Sequence, residues 1–362
     1  MKKIIYLSIL VVLFTSCSKE EAFPEREYPN GETVFSNPEV GGANQPNQVF
    51  IDLSTEENTT AIRDSWDLGF YCTTDVFRVS LNGSIYMATK ALDFTDIDAV
   101  TEADVESLYF EVGIGTFDPE NVNFVDDFDG DITQTAIAEI TVNPTDNKVY
   151  LLNMGYSVGT DEPDPGSVAV AGAHRGWKKI RILRDGENYL LQYANIEDTT
   201  HQEITISKDE AYHFTHFSFA TENTLNIEPI KTDWDLCFTV FTNEIVGYGT
   251  YGFTDFVLSN SKSNVMAYQI QEVDTDADGA IDNPYSTFSQ ADIITDNFEN
   301  SQRAIGSSWR IGGGPGYSPA VKDDVYYVLK DTEGLFYKLK FLSLMNDDGI
   351  RGHPQFEYQL IH

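Results

Sequence analysis

A Trp-Asp-Leu core occurs twice in the chain, as Trp66-Asp67-Leu68 and as Trp234-Asp235-Leu236, and the two copies lie 168 residues apart. That spacing is one domain length, and a repeat of this period marks a duplicated folding unit. The flanking segments repeat as well. VFIDLSTEENTT precedes the first core and QEITISKDEAYHFTHFSF the second. Downstream, NKVYLLNMGYS answers to DDVYYVLKDTEG, GWKKIRIL to LFYKLKFLSL, and NYLLQYANI to QFEYQLI. The order is kept while the loops change length, which a chance match of one motif does not produce.

The repeated segments alternate apolar and polar residues. Ile204 and Ile206, then Val325, Tyr327 and Leu329, then Tyr337, Leu339 and Phe341 carry a period of two, the pattern of strands with one buried face. Asp185-Gly186 and Glu333-Gly334 supply hairpin turns beside such runs. Only residues 98–110 and 288–298 read as helical, and both are brief. The expectation is an all-β protein of two tandem antiparallel β domains of related fold, with few short helices, at residues 45–198 and 199–362. Each repeated Trp is expected to fill a core, and Asp67 and Asp235 to fix a turn or a neighbouring backbone amide.

Hydrophobic residues make up 41% of the 362, enough to build such cores. With 58 acidic against 23 basic side chains the net charge is −35, so a nucleic-acid backbone is repelled and is excluded as a partner. No Ser-His-Asp or Cys-His pattern, no metal-hydrolase spacing and no phosphate-cradling loop ahead of a helix is present, and the chain is not expected to be an enzyme.

Residues 1–16, MKKIIYLSILVVLFTS, have two lysines ahead of an apolar run too short to span a bilayer, the layout of a secretory signal. Small residues then lead directly into Cys17, which reads as the acylated first residue of a lipoprotein. Ser18-Lys19-Glu20-Glu21 resembles an outer-face sorting signal, so the expected location is the outer membrane, facing the exterior, with residues 17–44 as a tether. Lipid must hold the protein there, because loss of Lys2 and Lys3 leaves the rest still more acidic. The remaining cysteines, Cys72 and Cys237, fall on dissimilar faces of their strands and are expected to be free, buried thiols.

The second half, from QEITISKDEAYHFTHFSFATENTLNIEP through TDWDLCF and SSWRIGGGPGYSPAVKDDVYYVLKDTEGLFYKLKFLSL to FEYQLI, resembles the HmuY family of secreted and lipidated haem-binding proteins. Residues 47–196 resemble it more weakly. The resemblance implies an all-β fold and capture of haem or a related porphyrin for uptake through a TonB-dependent receptor. The alternative is a non-enzymatic ligand-binding or interaction module of the same fold that has lost haem. Family members hold iron with axial His or Met. One such position falls in Trp309-Arg310-Ile311-Gly312-Gly313-Gly314-Pro315 and the other near residues 297–304, and neither segment contains His or Met. Iron needs a nitrogen or sulfur donor that glycine lacks. The substitutes are His174 and Arg175, in a basic run with Lys178, Lys179, Arg181 and Arg184, together with Met87 and Met266. The basic run either receives propionates or pairs with nearby carboxylates, and the methionines either ligate or fill cores. His213 and His216, three apart, are expected on opposite strand faces, one at the surface and one half-buried, and not on one metal.

Asp274, Asp276 and Asp278, with Gly279, the Ala280 carbonyl and Asp282, suit an oxygen-ligated calcium ion, although Tyr285 stands where a complete EF-hand has Glu. The run from Asp126 to Asp131 reads as a solvated loop.

Overall fold

The computed structural model describes residues 31–275, 277, 279–314 and 317–362. The signal segment, Cys17, Asp276 and Asp278 lie outside the described residues. Strands dominate. The segment read as helical at 98–110 forms one α-turn, Glu102–Val105, and a 3-10 turn, Glu106–Leu108. Residues 288–298 form only the 3-10 turns Gln290–Asp292 and Thr295–Asn297.

The duplication is visible as two β-sandwiches, each a five-stranded sheet facing a four-stranded one. In the first, the larger sheet runs Gln202–Ile206, Asn188–Asn195, Trp177–Asp185, Val149–Asn153, Ala88–Ala91. In the second it runs Val34–Ser36, Arg351–Leu360, Phe336–Met345, Val325–Lys330, Met266–Gln271, the same order of equivalent strands. All pairings in these sheets are antiparallel. Alternation builds the cores. Leu68, Phe70, Val79, Leu81 and Phe217 of the first small sheet meet Leu152, Ile180, Ile182 and Leu191 of the large one. Val49, Ile51, Leu236, Phe238 and Val257 meet Val325, Tyr327, Leu329, Leu339 and Phe356 in the second. Insertions cap the outer faces, with Ile97, Val105 and Phe124 on one side and Phe288 on the other.

The small sheets do not respect a division at residues 198/199. In the first, Phe214–Ser218 pairs with Leu68–Tyr71, so the leading strand of the second repeat completes the first sandwich. In the second, Asn47–Ile51 pairs with Leu236–Ile245 and Val34–Ser36 pairs with Arg351–Leu360. The two repeats exchange their leading segments. One sandwich is therefore contiguous, from about residue 66 to 227, while the other joins residues 34–62 to residues 234–362. Residues 31–44, expected within a tether, are folded for the same reason. A three-residue strand is too short to declare a period of two, but the C-terminal strand supplies its hydrogen bonds.

The paired aspartates hold the exchange. Asp67 accepts from the Phe219 amide at 2.7 Å and Asp235 from the Leu53 amide at 2.9 Å, each reaching into the strand lent by the other repeat. The hairpin of Leu236–Ile245 and Gly249–Ser259 extends to the first sandwich, where Gly249, at φ +87°, lies so close that a Cβ would meet the Asp118 carbonyl at 2.2 Å. Only glycine fits there.

Candidate functional site

The outer faces of the two small sheets meet. Phe50, Trp66, Ile227, Trp234 and Cys237 form the apolar contact between them, and beside it lies a cleft of about 180 Å³. Register makes its two walls comparable residue by residue. Phe50 faces Cys237 across its strand pair as His216 faces Gly69, so Phe50 and His216 occupy equivalent positions, and two residues earlier so do Gln48 and Phe214. Each ring stands edge-on to a Trp: Phe50 to Trp234 at 5.2 Å and His216 to Trp66 at 4.5 Å. The hydrogen bonding is not equivalent. Trp66 Nε1 donates to Gln48 Oε1 at 2.8 Å. Phe214, in Gln48's equivalent place, has no acceptor to offer Trp234. Among the described residues Trp234 Nε1, His216 Nδ1 and the Ser259 hydroxyl, all lining the cleft, have no hydrogen-bond partner. Trp234 is 8% and His216 4% exposed.

Part of the cleft lining is ionisable. Residues 125–135 cross from the first sandwich to the second, held by Arg303 on Asp129 at 2.8 and 3.0 Å and by Ser301 on Asp129 at 2.6 Å. Asp126 accepts from the Leu81 and Ala136 amides. Burial still pushes its carboxyl up to about 6. Glu228 accepts from the Phe214 amide at 2.8 Å, yet burial raises it to about 7. Lys262 donates to the Gly130 carbonyl at 3.2 Å and lies over the Phe214 ring, and its own burial lowers it. Burial brings His216 down to about 3 and, with help from Lys262, His213 to about 4, so both imidazoles are neutral. Both are buried, against the expectation of one surface and one half-buried ring. His213 Nε2 contacts Asn260 Oδ1 and Ser263 Oγ, each at 3.0 Å. The run from Asp126 to Asp131 is thus a bridge between sandwiches, not a solvated loop.

The residues singled out for haem do not assemble. His174 is exposed on Ala171–His174, and both its ring nitrogens are engaged, with Asn153 Oδ1 at 2.9 Å and with the Gly176 amide at 3.2 Å. Arg175 donates to Asp67 Oδ1 at 2.6 Å, bracing the first exchanged strand. Met87 is buried in the first core, and Met266 begins a strand in the second sandwich. The basic run disperses too. Lys179 donates to the Val100 and Asp198 carbonyls, Arg181 to those of Asn147 and Pro144, and Arg184 to that of Ile140. A strand sends neighbours to opposite faces, so a linear cluster is not a patch. These residues do not fit a two-ligand iron site, and the cleft is smaller than the roughly 300–1,000 Å³ usual for drug-sized ligands.

The calcium expectation rests in part on Asp276 and Asp278, which lie outside the described residues. Asp282 accepts from the Thr275 amide and hydroxyl, and Asp274 accepts from the Gly279 amide at 2.8 Å. These carboxylates close their own turn. No group of three or more His, Cys, Asp or Glu among the described residues is placed to hold a metal ion. Cys72 and Cys237 are free and buried, as expected.

The fold is a duplicated β-sandwich with a cleft between its two copies. Residues 44–358 match the model of the HmuY protein family, and the chain belongs to that family, one of haem-binding proteins. No curated relative matches the sequence. A solved structure, the crystal structure of Tannerella forsythia apo HmuY analog (TFO), is similar at 17% identity over 48% of this chain and 90% of that one, with a TM-score of 0.21.

Proposed function

We propose that the chain is a non-enzymatic lipoprotein, anchored through Cys17 on the outer face of the outer membrane, that captures haem or a related porphyrin and passes it to a TonB-dependent receptor. Membership of the HmuY family over residues 44–358 carries this reading. The acylation signal at Cys17 supports the address. Because His174, Met87 and Met266 provide no paired axial donors and the basic run beside His174 is dispersed onto internal acceptors, recognition rests on the macrocycle rather than on iron or the carboxylates. Titration of the mature protein with haemin and with metal-free protoporphyrin IX, followed by tryptophan fluorescence, tests this. Comparable saturable quenching by both is expected. Quenching by haemin alone would return the iron to the centre of recognition, and quenching by neither would end the porphyrin reading.

A further inference from the structure

An open sheet edge is a template for another strand, and proteins shorten, charge or cover their edges to prevent pairing. Most edges of the four sandwich sheets are managed in these ways. Gly249–Ser259 is bridged by Gly306, which exchanges backbone hydrogen bonds of 3.0 Å with Val257, and Met266–Gln271 is bridged by Glu299 on Ala267. Asp126 takes the Leu81 amide of Val79–Leu81 at 2.7 Å. Ala88–Ala91 carries Lys90, paired with Glu111, and Gln202–Ile206 carries Glu203, in contact with Gln192 and His201. Val34–Ser36 and Asn223–Leu225 have only three residues each.

Asn58–Ile62, the outer strand of the second small sheet, has none of these devices. Its five residues include no charge and no proline, and its register with Asn47–Ile51 runs without a bulge. All but Ala61 are exposed. The Asp52 amide donates to the Glu57 carbonyl at 3.0 Å and the Arg63 amide to the Pro46 carbonyl at 2.8 Å. These two closing pairs set the phase of the ladder. Thr59 and Ala61 therefore bond inward to Phe50 and Gln48, while the amides and carbonyls of Asn58, Thr60 and Ile62 turn outward. The Ser65 amide takes the Ile62 carbonyl at 3.1 Å. Among the described residues, nothing bonds the outward groups of Asn58 and Thr60.

The charges at its ends say what fits. Glu56 and Glu57 are exposed just before the strand, and Asp64 stands just after it. Arg63 is buried, with its guanidinium spent on the Gln45 and Ser84 carbonyls, so it offers no cation to the edge. A second copy paired symmetrically about Thr60 would set Glu56 against Asp64 at both ends, between two chains of net charge −35. Like charges placed opposite each other destabilise such a pair. A strand with a basic residue at each end meets the opposite sign instead. Ile62, 48% exposed, adds an apolar neighbour near one end.

We propose that Asn58–Ile62 is a docking edge for an extended segment of a partner polypeptide, added antiparallel, uncharged over its middle and carrying Lys or Arg at each end. Main-chain hydrogen bonds to Asn58, Thr60 and Ile62 supply the attachment and the terminal charges supply the selection. This edge is independent of the porphyrin reading and stands or falls separately from it.

The probe is a blocked peptide, Lys-Val-Thr-Val-Thr-Thr-Lys, whose valine next to the first lysine would lie beside Ile62. Added to the 15N-labelled mature protein, it is expected to shift the Asn58, Thr60 and Ile62 amides saturably and to slow hydrogen exchange at Thr60. The same peptide with glutamate in place of both lysines should bind at least tenfold more weakly. Thr60→Pro removes an amide that bonds nothing inside the chain, a position where an edge strand tolerates proline, and should weaken binding at least tenfold. Glu56→Lys combined with Glu57→Lys should abolish the preference for lysine ends, which covers the case in which the proline variant does not fold. Absence of a saturable shift at these amides, equal binding of the two peptides to the parent, or unchanged binding in a folded Thr60→Pro variant would each overturn the proposal. Concentration-dependent dimerisation of the parent that Thr60→Pro abolishes would overturn it too, by giving the edge to a second copy.

Discussion

Asp67 and Asp235 perform one task in two electrostatic settings. Burial raises both, but Arg175 lies against Asp67 and opposes the rise, whereas Asp235 receives only backbone amides and goes up to about 7 with Asp331 adding to it. Glu228 behaves like Asp235, and its consequence is measurable. Its folded value of about 7 exceeds the ordinary 4.5 because burial penalises its charge. Between those values the folded chain keeps a proton that the unfolded chain has released, so its contribution is full at low pH and is lost as pH rises towards 7. Glu228→Gln removes that slope. Relative to the parent, the variant should gain up to about 3 kcal/mol between pH about 4.5 and about 7.5, read from urea unfolding at both ends; a pH-independent difference would contradict the assignment. The anchoring role of the two aspartates was legible in the sequence because the Trp-Asp pair repeats. The orphaned Trp234 was not. It shows only when the repeats are aligned at the strand preceding each Trp, where Gln48 stands over Phe214 and Phe50 over His216.

The strands were legible from alternation, and their partners were not. Period two fixes which face a residue takes but says nothing about which copy of the repeat lies alongside. Here Phe214–Ser218 pairs with Leu68–Tyr71 and Asn47–Ile51 with Leu236–Ile245, so the order of segments is preserved while ownership is traded. This gives an asymmetric expectation for fragments. Residues 64–228 contain every strand of the first sandwich and should fold alone, with a cooperative thermal transition and dispersed amide resonances. Residues 229–362 lack the central strand Asn47–Ile51 and should remain unfolded until a peptide spanning residues 31–63 is added. Independent folding of the second fragment would show that the trade is dispensable.

The two sandwiches have separate cores and a thin shared one, so damage should stay on one side. Deleting residues 351–362 removes Phe356, Tyr358 and Leu360 from the second core and strips Val34–Ser36 of its partner. Limited proteolysis of that variant is expected to leave a resistant core matching the first sandwich, residues 66–227. Complete digestion would mean that the interface around Trp66 and Trp234 couples the halves more tightly than their contacts suggest. The repeat fixed the number of sandwiches. The cleft belongs to neither copy, because it exists only where their outer faces touch, and no single-copy pattern encodes it.

The pairing of Val34–Ser36 with Arg351–Leu360 has a temporal meaning. A polypeptide is made from one end, so Val34–Ser36 waits unpaired until Arg351–Leu360 has followed. The contiguous sandwich can close early, and the other finishes like a clasp, drawn shut by the tail. Synthesis halted before residue 351 leaves an open sheet edge beside a finished half, so hiding that edge depends on the strand Arg351–Leu360.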